Sequence, residues 1–442
     1  MVEREDARGR SDGCGLESRL YALWERCATT GARTTTLDGR DVIVLSRGVR
    51  NDGPGPDYLG AVLVVAAKLH VGAVEMHREE SDWFAHGHDR DPAYEAVILH
   101  VLGVAPPRQA LAVPTVVALA LESASSEGAK PGLVSSGIRS QHSGTPSGPP
   151  EISASLLAEA AWARLLRRVT EITRAERAQS LEARLRSAFV LRLFDCLGYS
   201  ANRSAMRTLA ARIVDDGDLD LSGAPAGFDA FAARLFGLAG SDERTVRALG
   251  AGFMSDARLD RILRARPGPI PGLRWTHATR PANAPERRLW AAARLLAEIT
   301  SARRLERLLE RLAAGAPWHR LELELVVRLG SESFIGRSRA AEIVMNALVP
   351  VALAAGIERG SVTLIERACR LYRNAPAQQS NRTIRQVERR YLGGRVLTGG
   401  FWQQGAIEHF QRYLSPDRSG LRFLSETRRI YRRSPGTDDI EF

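Results

Sequence analysis

The chain of 442 residues is 44% hydrophobic, enough to bury a full core, and it is too long for one ordinary domain. Four widely separated cysteines without a CxxC pair argue against a disulfide scaffold and against a thiolate zinc site. Residues 1–150 carry fifteen basic and nineteen acidic side chains, and the rest of the chain carries 47 and 32, so a part of net charge −4 precedes a part of +15. The basic part fits either a polyanionic partner or a genome that encodes Arg where others encode Lys.

The first third of the chain has the pattern of an α/β domain. Leucine and tryptophan at helical spacing predict a helix over residues 16–28, and β-type runs predict five strands. The strands are expected at residues 41–45, 61–66, 71–77, 97–104 and 115–121. Residues 82–95 are expected to be helical or loop-like. This order predicts an α/β domain over residues 16–121.

A linker and a helical domain are expected to follow. Residues 122–150 are rich in Ser, Gly and Pro, which predicts a flexible linker. Residues 151–442 show apolar side chains at i, i+3 and i+4 beneath Arg-rich faces, which predicts a large all-α domain without a sheet of three or more strands. The predicted helices are residues 156–173, 181–197, 205–213, 228–238, 285–314, 340–355, 361–372 and 383–391.

The two segments that bear on the membrane question give no membrane signal. The first fifteen residues are charged and contain no apolar stretch, so no signal peptide is readable. The apolar segment 109–121 contains Pro114 and is shorter than the roughly 20 residues that a spanning helix needs. We therefore expect a cytoplasmic protein with no membrane partner.

Histidines and acids concentrate in the first domain. Five of the nine histidines fall within 31 residues: His70, His77, His86, His88 and His100. The acids around them are Asp57, Glu75, Asp82, Asp89 and Asp91. No P-loop, GxSxG or strand-linked GxGxxG pattern is present, which disfavours nucleotide-cofactor enzymes and α/β-hydrolases.

The spacing of Asp57 and Glu75 suggests that a hairpin brings them together. A Gly/Pro-rich loop delivers Asp57 to the start of one strand, while Glu75 and His77 lie on the same face of the next. If the strands turn near Ala66 and Ala67, residues whose numbers sum to 132 lie opposite each other, as 57 and 75 do. The turn sequence is poor, so a register slip of one or two residues stays open.

These residues resemble the PD-(D/E)xK nuclease superfamily. Asp57, a strand turn and Glu75-x-His77 occur within an order of helix, three strands, helix and strand, with His77 where the superfamily usually has Lys. The resemblance implies a restriction-endonuclease-like mixed sheet in which Asp57, Glu75 and the backbone carbonyl of Met76 hold Mg²⁺ or Mn²⁺. His77 would position the attacking water, although a neutral His can equally serve as a base or a metal ligand.

The remaining polar cluster has two interpretations. Asp82, His86 and His88 could be additional site residues, and a zinc site of His77, His86 and His88 is conceivable, with Zn²⁺ less favoured than Mg²⁺ or Mn²⁺. Alternatively, Ser81 or Asp82 caps a helix, Trp83 packs in the core and the two histidines are solvated. His100 is expected to be a buried, hydrogen-bonded strand histidine.

A broader resemblance covers nearly the whole chain. The sequence is similar to an uncharacterised bacterial family known as domain of unknown function 2851. The resemblance is carried by separated strings in order, namely NDGPGPDYLGA, GAVEMHREESDWFAHGHDRDPAYEAVILHVLG, RLFGLAG, RPANAPERRL and WQQGAIEHF. It implies a shared fold and no particular activity.

The leading hypothesis from the sequence is a divalent-metal-dependent nuclease or phosphodiesterase, with nucleic acid bound by the Arg-rich helical domain. Asp57 and Glu75 would bind the metal, and His77 would orient or deprotonate water. Two alternatives stay open: a catalytically inactive nuclease-like interaction module, and a His/carboxylate metallohydrolase with another substrate.

Overall fold

The computed structural model describes residues 18–26, 33–51, 53–105, 113–117, 121, 138–139, 154–173, 180–199, 201–219, 227–278 and 283–414. Within this part, a seven-stranded mixed sheet precedes a largely helical remainder, as expected from the sequence. The predicted linker lies outside the described residues except for 138–139, which form a short strand.

The sheet is built around a long central hairpin. Its strands are β1 Arg33–Thr35, β2 Asp41–Ser46, β3 Val49–Arg50, β4 Tyr58–Val65, β5 Lys68–His77, β6 Val97–Leu102 and β7 Thr115–Val117. Their order across the sheet is β1-β2-β4-β5-β6-β7, with β3 paired to β4. The strands from β1 to β5 pair antiparallel, whereas β6 runs parallel to β5 and β7 parallel to β6. The predicted strands at residues 41–45, 61–66, 71–77 and 97–104 are confirmed, and the strand expected at 115–121 is confirmed over Thr115–Val117. The strands β1 and β3 are edge pieces too short to show a period-2 pattern.

The predicted turn at Ala66 and Ala67 is confirmed. Both residues have positive φ, 48° and 66°, which is the conformation of a two-residue type I′ turn. Next to the turn, paired residue numbers sum to 133, as in Val65 with Lys68. A bulge in β4 beyond Tyr58 changes the sum to the predicted 132, at Tyr58 with Val74. Asp57 and Glu75 therefore follow as the next opposed residues.

The two faces of the sheet have different chemistry. A helix over residues 18–26, α1, packs its Leu20 and Trp24 against one face, where Val44, Leu63 and Met76 are buried. Because side chains alternate along a strand, the neighbours of Met76 point to the other face. That face carries a short helix, α2 Ser81–Ala85, and a 3-10 turn, Pro92–Tyr94, in the segment expected to be helical or loop-like.

Helices dominate the part of the chain after residue 151. They are α3 Ala154–Thr173, α4 Leu181–Leu197, α5 Arg203–Asp215, α6 Phe228–Ala239, α7 Glu243–Gly250, α8 Asp256–Arg264, α9 Pro285–Ser301, α10 Arg304–Ala313, α11 Trp318–Glu324, α12 Arg337–Glu358, α13 Val362–Arg373, α14 Arg382–Tyr391 and α15 Gly400–His409. The prediction of one helix over residues 285–314 is wrong. Arg303 adopts a left-handed conformation with φ 47°, which ends α9 and starts α10.

Strands after residue 151 occur only as two-stranded pairs within the described part. β9 Val327–Leu329 pairs with β10 Glu332–Ile335, and β11 Val396–Leu397 pairs with β8 Ile138–Arg139. The expectation that no larger sheet forms there holds for the described residues.

Contacts divide the described chain into two compact units. The sheet unit draws on Met1–Arg167 and Arg359–Phe442, and the central helical unit is Arg168–Glu358. These units differ from the predicted domain ranges, because the last helices belong to the same unit as the sheet. The predicted separation by a linker at residues 122–150 stays a prediction.

One helix among the described residues, α12, is long and apolar enough to cross a membrane by length and composition alone. Its most apolar window is 83% buried within the protein, a property that core helices of soluble proteins share. A π-helical segment, Val344–Leu348, interrupts its regular hydrogen bonding.

Candidate functional site

Asp57 and Glu75 lie opposite each other across the hairpin, and the carboxylate of each accepts a hydrogen bond from a backbone N–H of the other strand. The Asp57 N–H donates to Glu75 Oε2 at 2.9 Å, and the Met76 N–H donates to Asp57 Oδ2 at 2.9 Å. The hydroxyl of Tyr21, from α1, donates to Asp57 Oδ1 at 2.7 Å. Both oxygens of Asp57 therefore accept hydrogen bonds within the sheet unit. This exchange fixes the register at the end of the hairpin.

Glu75 Oε1 faces a group of three histidines. It lies 3.5 Å from His77 Nε2 and 3.5 Å from His88 Nε2, while His86 Nδ1 lies 3.3 Å from His77 Nε2. One ligand atom from each of the three histidines lies within 4.8 Å of the others. In a tetrahedral site with metal–ligand distances of about 2.0–2.1 Å, ligand atoms lie about 3.3–3.4 Å apart. The distance from His77 Nε2 to His86 Nδ1 and the two distances from Glu75 Oε1 are close to this spacing, and the other histidine pairs lie within 4.8 Å. We call Glu75, His77, His86 and His88 the histidine–glutamate cluster.

Burial is graded across this cluster, from the strand outward. Glu75 and His77 on β5 are 6% and 3% exposed, respectively. His88 is half-buried and His86 is exposed, both in the turn after α2. The cluster therefore has an interior wall on the sheet and an opening to solvent beside His86.

Behind the cluster, His100 supports His77. His77 Nδ1 lies 2.8 Å from His100 Nε2, so one of these nitrogens donates to the other. His100 is fully buried on β6, as the sequence predicted, and its Nδ1 has no hydrogen-bond partner among the described residues. If His77 Nε2 binds a cation, its Nδ1 carries the proton and donates to His100.

Burial, together with the neighbouring histidines, keeps the imidazoles of His77, His88 and His100 neutral. Burial, and then the neighbouring His100, His88 and His86, lower the pKa of His77 to about 3. Burial and His88 lower the pKa of His100 to about 4. Burial also lowers the pKa of His88. Neutral imidazole is the form that binds metal, so these side chains are in a ligating state at neutral pH.

Aromatic rings pack around the cluster and hold His88 in place. The ring of Tyr94 stacks on His88 with centroids 3.7 Å apart and planes inclined by 22°. Trp83, which is 5% exposed, packs edge-on against His88 at 5.6 Å. Burial and the nearby Glu75 raise the pKa of Tyr94 to about 12, so its hydroxyl stays protonated.

A model of one protein family matches residues 17–381, which is most of the chain. The chain belongs to the family described as Protein of unknown function (DUF2851). Neither a curated protein nor a solved structure matches it. Membership of this family implies a shared fold and no particular activity.

Most of the predicted site residues of this family member lie in or beside the cluster. Asp57, Glu75, His77, His86 and His88 come together, with Asp57 bound to the backbone. The Met76 side chain lies on the opposite face of the sheet, in the core beneath α1, and the role of its carbonyl as a ligand stays a prediction.

The other predicted acids have local roles, and His70 lies away from the cluster on β5. The Asp82 carboxylate accepts the Glu79 N–H at 3.0 Å, which closes the turn before α2. Asp91 accepts the Ala93 N–H at 2.9 Å and caps the 3-10 turn, and Asp89 lies 3.4 Å from Arg90. His70 lies seven residues before His77 on β5, about 23 Å along the strand and on its other face.

Sequence reasoning missed two members of the site, Tyr21 and Tyr94. Tyr21 belongs to a helix far from Asp57 in sequence, and no local spacing links the two residues. Tyr94 follows Pro92 in a turn whose geometry decides which ring it meets. The parallel pairing of Glu75 with His100 could have placed His100 beside the acids, had the β5–β6 register been known.

Proposed function

We propose that the sheet unit carries a divalent-metal-dependent hydrolase centre that cleaves phosphodiester bonds in nucleic acid. The observation that supports this proposal most directly is that Glu75 Oε1 lies 3.5 Å from both His77 Nε2 and His88 Nε2, with His86 Nδ1 3.3 Å from His77 Nε2. Burial lowers the pKa of His77 and of His88, so both imidazoles are neutral at neutral pH, which is the form that binds a metal ion.

In this proposal His77, His86 and His88 hold the cation. Three histidine ligands leave a fourth position open for water or substrate, which is the arrangement of catalytic rather than structural zinc sites. When bound, the cation would polarise a phosphoryl oxygen and lower the pKa of a water molecule. Glu75, whose Oε2 is held by the Asp57 N–H, would present Oε1 to accept the proton of that water.

The donor set favours a metal different from the one expected from the sequence. Imidazole nitrogen suits Zn²⁺ and, less selectively, Mn²⁺, whereas Mg²⁺ prefers oxygen ligands and retains waters. Asp57 and Glu75 supply only oxygen, but Asp57 already accepts hydrogen bonds from Tyr21 and Met76. We therefore propose Zn²⁺ first, Mn²⁺ second and Mg²⁺ last.

The choice of a phosphodiester substrate rests on the resemblance and on charge. Between α1 and α2 lie five antiparallel strands, of which β2, β4 and β5 are longer than three residues, and the parallel strand β6 follows α2; the PD-(D/E)xK resemblance implies a helix, three strands, a helix and a strand. Asp57, Glu75 and His77 occupy the hairpin end at which that resemblance puts its acids. The basic balance of the chain after residue 150 suits a polyanionic substrate.

One observation favours a second candidate, a catalytically inactive interaction module. Both carboxylate oxygens of Asp57 are engaged in hydrogen bonds that shape the hairpin end, which is what a structural aspartate would do. In that case Asp57→Ala would destabilise the protein, and wild-type protein would bind nucleic acid without cleaving it.

Metal content and cleavage together test the proposal. Chelator-stripped protein is reloaded with Zn²⁺, Mn²⁺ or Mg²⁺, and bound metal is measured by elemental analysis. Cleavage is assayed on DNA, RNA and a small phosphodiester. We expect about one Zn²⁺ per chain, loss of metal and cleavage in His77→Ala, and loss of cleavage with metal retained in Glu75→Gln. His319→Asn, an exposed histidine of the central helical unit, is the matched control and should change neither measurement.

Two outcomes would overturn this assignment. Wild-type protein that binds none of the three metals would remove the centre itself. Retained or increased Mg²⁺-dependent cleavage in His77→Lys would make residue 77 a water-positioning residue and return the metal to Asp57 and Glu75. Melting curves of each variant show whether a lost activity reflects a lost fold.

A further inference from the structure

Helix α14 carries a basic surface whose arginines have no acidic partners among the described residues. Its arginines Arg382, Arg385, Arg389 and Arg390 are all exposed. None forms an ion pair within the part of the chain that the structure describes; Arg385 donates only to the Ser380 carbonyl, at 3.1 Å. We call these four residues the α14 arginine face.

Helical geometry gathers this face on one side. Arg382, Arg385 and Arg389 are spaced by three and four residues, so they follow one another along a single stripe. The rise of about 1.5 Å per residue places Arg389 about 10 Å beyond Arg382. The apolar residues of the helix, Ile384 and Val387, are 2% and 0% exposed on the opposite side.

The acid of the helix turns away from the arginine face. Glu388 is 8% exposed, and its Oε1 accepts the Leu397 N–H at 2.9 Å, which ties the helix to β11. Its carboxylate therefore binds a buried backbone N–H and forms no ion pair with the exposed arginines of the helix. By contrast, many arginines of the central helical unit pair with acids, for example Arg212 with Asp216 and Arg258 with Asp229, both at 2.7 Å.

Helix stability does not explain the arginine face. Cations in the last turn, such as Arg389 and Arg390, favour the helix dipole, but Arg382 and Arg385 lie in the first turn, where positive charge is unfavourable. Like charges at i, i+3 and i+4 also repel one another. A bound polyanion would relieve these unfavourable charge interactions.

We propose that the α14 arginine face binds the phosphate backbone of a nucleic acid, the substrate class proposed for the histidine–glutamate cluster. Guanidinium groups bind phosphates through paired N–H donors, and a stripe about 10 Å long spans several phosphates of one strand. A membrane surface fits less well, because interfacial helices insert exposed apolar residues and α14 has none. This inference rests on the proposed function only for the identity of the polymer.

Binding without cleavage tests this surface. The triple variant Arg382→Gln, Arg385→Gln and Arg389→Gln is compared with Arg212→Gln, Arg258→Gln and Arg294→Gln, which removes the same charge from arginines that have acidic partners. Anisotropy of a fluorescent duplex oligonucleotide is followed in EDTA between about 50 and 200 mM KCl. We expect the α14 triple to weaken binding at least tenfold and to reduce the salt slope by about 2.7, while the control changes little.

The outcomes separate this proposal from that of the catalytic centre. Metal content and cleavage of a small phosphodiester should be the same in the α14 triple as in wild type, because neither involves this face. The proposal fails if both triples weaken binding equally, if wild type binds no oligonucleotide, or if it binds phosphatidylserine vesicles more tightly than the duplex. The α14 triple should melt no lower than wild type, since it removes like-charge repulsion.

Discussion

His100 is the residue that sets the protonation of the proposed metal ligand beside it. Its Nε2 lies 2.8 Å from His77 Nδ1 in a fully buried position. A metal-binding imidazole usually donates its second N–H to an acceptor, which orients the ring and fixes the tautomer. In a buried strand no water can replace a lost acceptor, so removing it leaves an unsatisfied donor at a cost of about 1–3 kcal/mol.

We expect His100→Leu to weaken zinc binding about 10- to 100-fold, the range found for losses of such supporting partners. His100→Gln, which can still accept from His77 through its amide oxygen, should lose much less. Competition with a chromophoric chelator measures both affinities. Equal losses in the two variants would show that His100 fills space rather than orienting His77.

Stability of the metal-free protein should fall in acid because His77 and His100 are buried neutral. The pKa of His77 is lowered to about 3 by burial and by His100, His88 and His86, and that of His100 to about 4 by burial and His88. Glu75 Oε1, 3.5 Å from His77 Nε2, is the acidic group that faces the His77 ring. An unfolded histidine titrates near 6.5, so the unfolded chain takes up protons first as the pH falls.

The resulting prediction is a pH window. Below about pH 6.5, each histidine that charges only on unfolding reduces the free energy of unfolding by about 1.4 kcal/mol per pH unit, until the folded pKa is reached. Urea titrations in EDTA between about pH 7 and 4 measure this slope. His77→Asn and His100→Asn should each flatten it. A wild-type slope that neither variant changes would assign the acid sensitivity to other groups.

At the scale of elements, the β4–β5 hairpin holds the site together through a strained turn. Ala66 and Ala67 both adopt φ values of 48° and 66°, which favour Asn and Gly over residues with a Cβ methyl. A left-handed conformation costs an L-residue about 1–2 kcal/mol. The long ladder of β4 and β5, from Val65 and Lys68 to Tyr58 and Val74, outweighs that cost.

Replacing Ala66 by Asn and Ala67 by Gly should therefore stabilise the protein. We expect a gain of about 1 kcal/mol in the free energy of unfolding, because the new residues adopt the type I′ turn with less strain. Ala61→Gly, within β4, is the control and should lose stability, since glycine weakens a regular strand. A destabilised double variant would mean that the Ala67 methyl, 7% exposed, contributes more by packing than the turn costs.

Elements with strong local periodicity could be predicted from the sequence, and those decided by tertiary contacts could not. Residues 181–197 were predicted as a helix with the observed bounds of α4, because apolar residues recur on one face. The break between α9 and α10 at Arg303 could not be predicted, because no Gly or Pro occurs there in the sequence. In the site, the proximity of Asp57 and Glu75 could be predicted from the pairing of residues across a hairpin. The approach of His86 and His88 to Glu75 depends on the turn after α2, whose geometry cannot be derived from residue spacing.

Among the described residues, some arginines form ion pairs that support the fold, whereas others face solvent without an acidic partner. In the central helical unit, Arg184 pairs with Glu358 and Arg186 with Glu306, both at 3.0 Å and both largely buried. Such arginines contribute to the net charge of +11 without offering a free guanidinium to a polyanion. Net charge therefore indicates a polyanionic partner less directly than the position of unpaired groups such as those of α14.

Metal binding should also be visible in the stability of the whole chain. A ligand that binds only the folded state stabilises it by RT ln(1 + [L]/Kd), about 4 kcal/mol at a thousandfold excess over Kd. The histidine–glutamate cluster draws its ligands from β5 and from the turn after α2, so unfolding of the sheet unit separates them. We expect the melting temperature of chelator-stripped protein to rise with Zn²⁺ concentration and to rise less with Mn²⁺. His86→Ala, at the exposed end of the cluster, should fold normally and show little of this rise, while His319→Asn should respond as wild type does. A zinc-dependent shift that survives in both His86→Ala and His77→Ala would mean that the ion binds elsewhere.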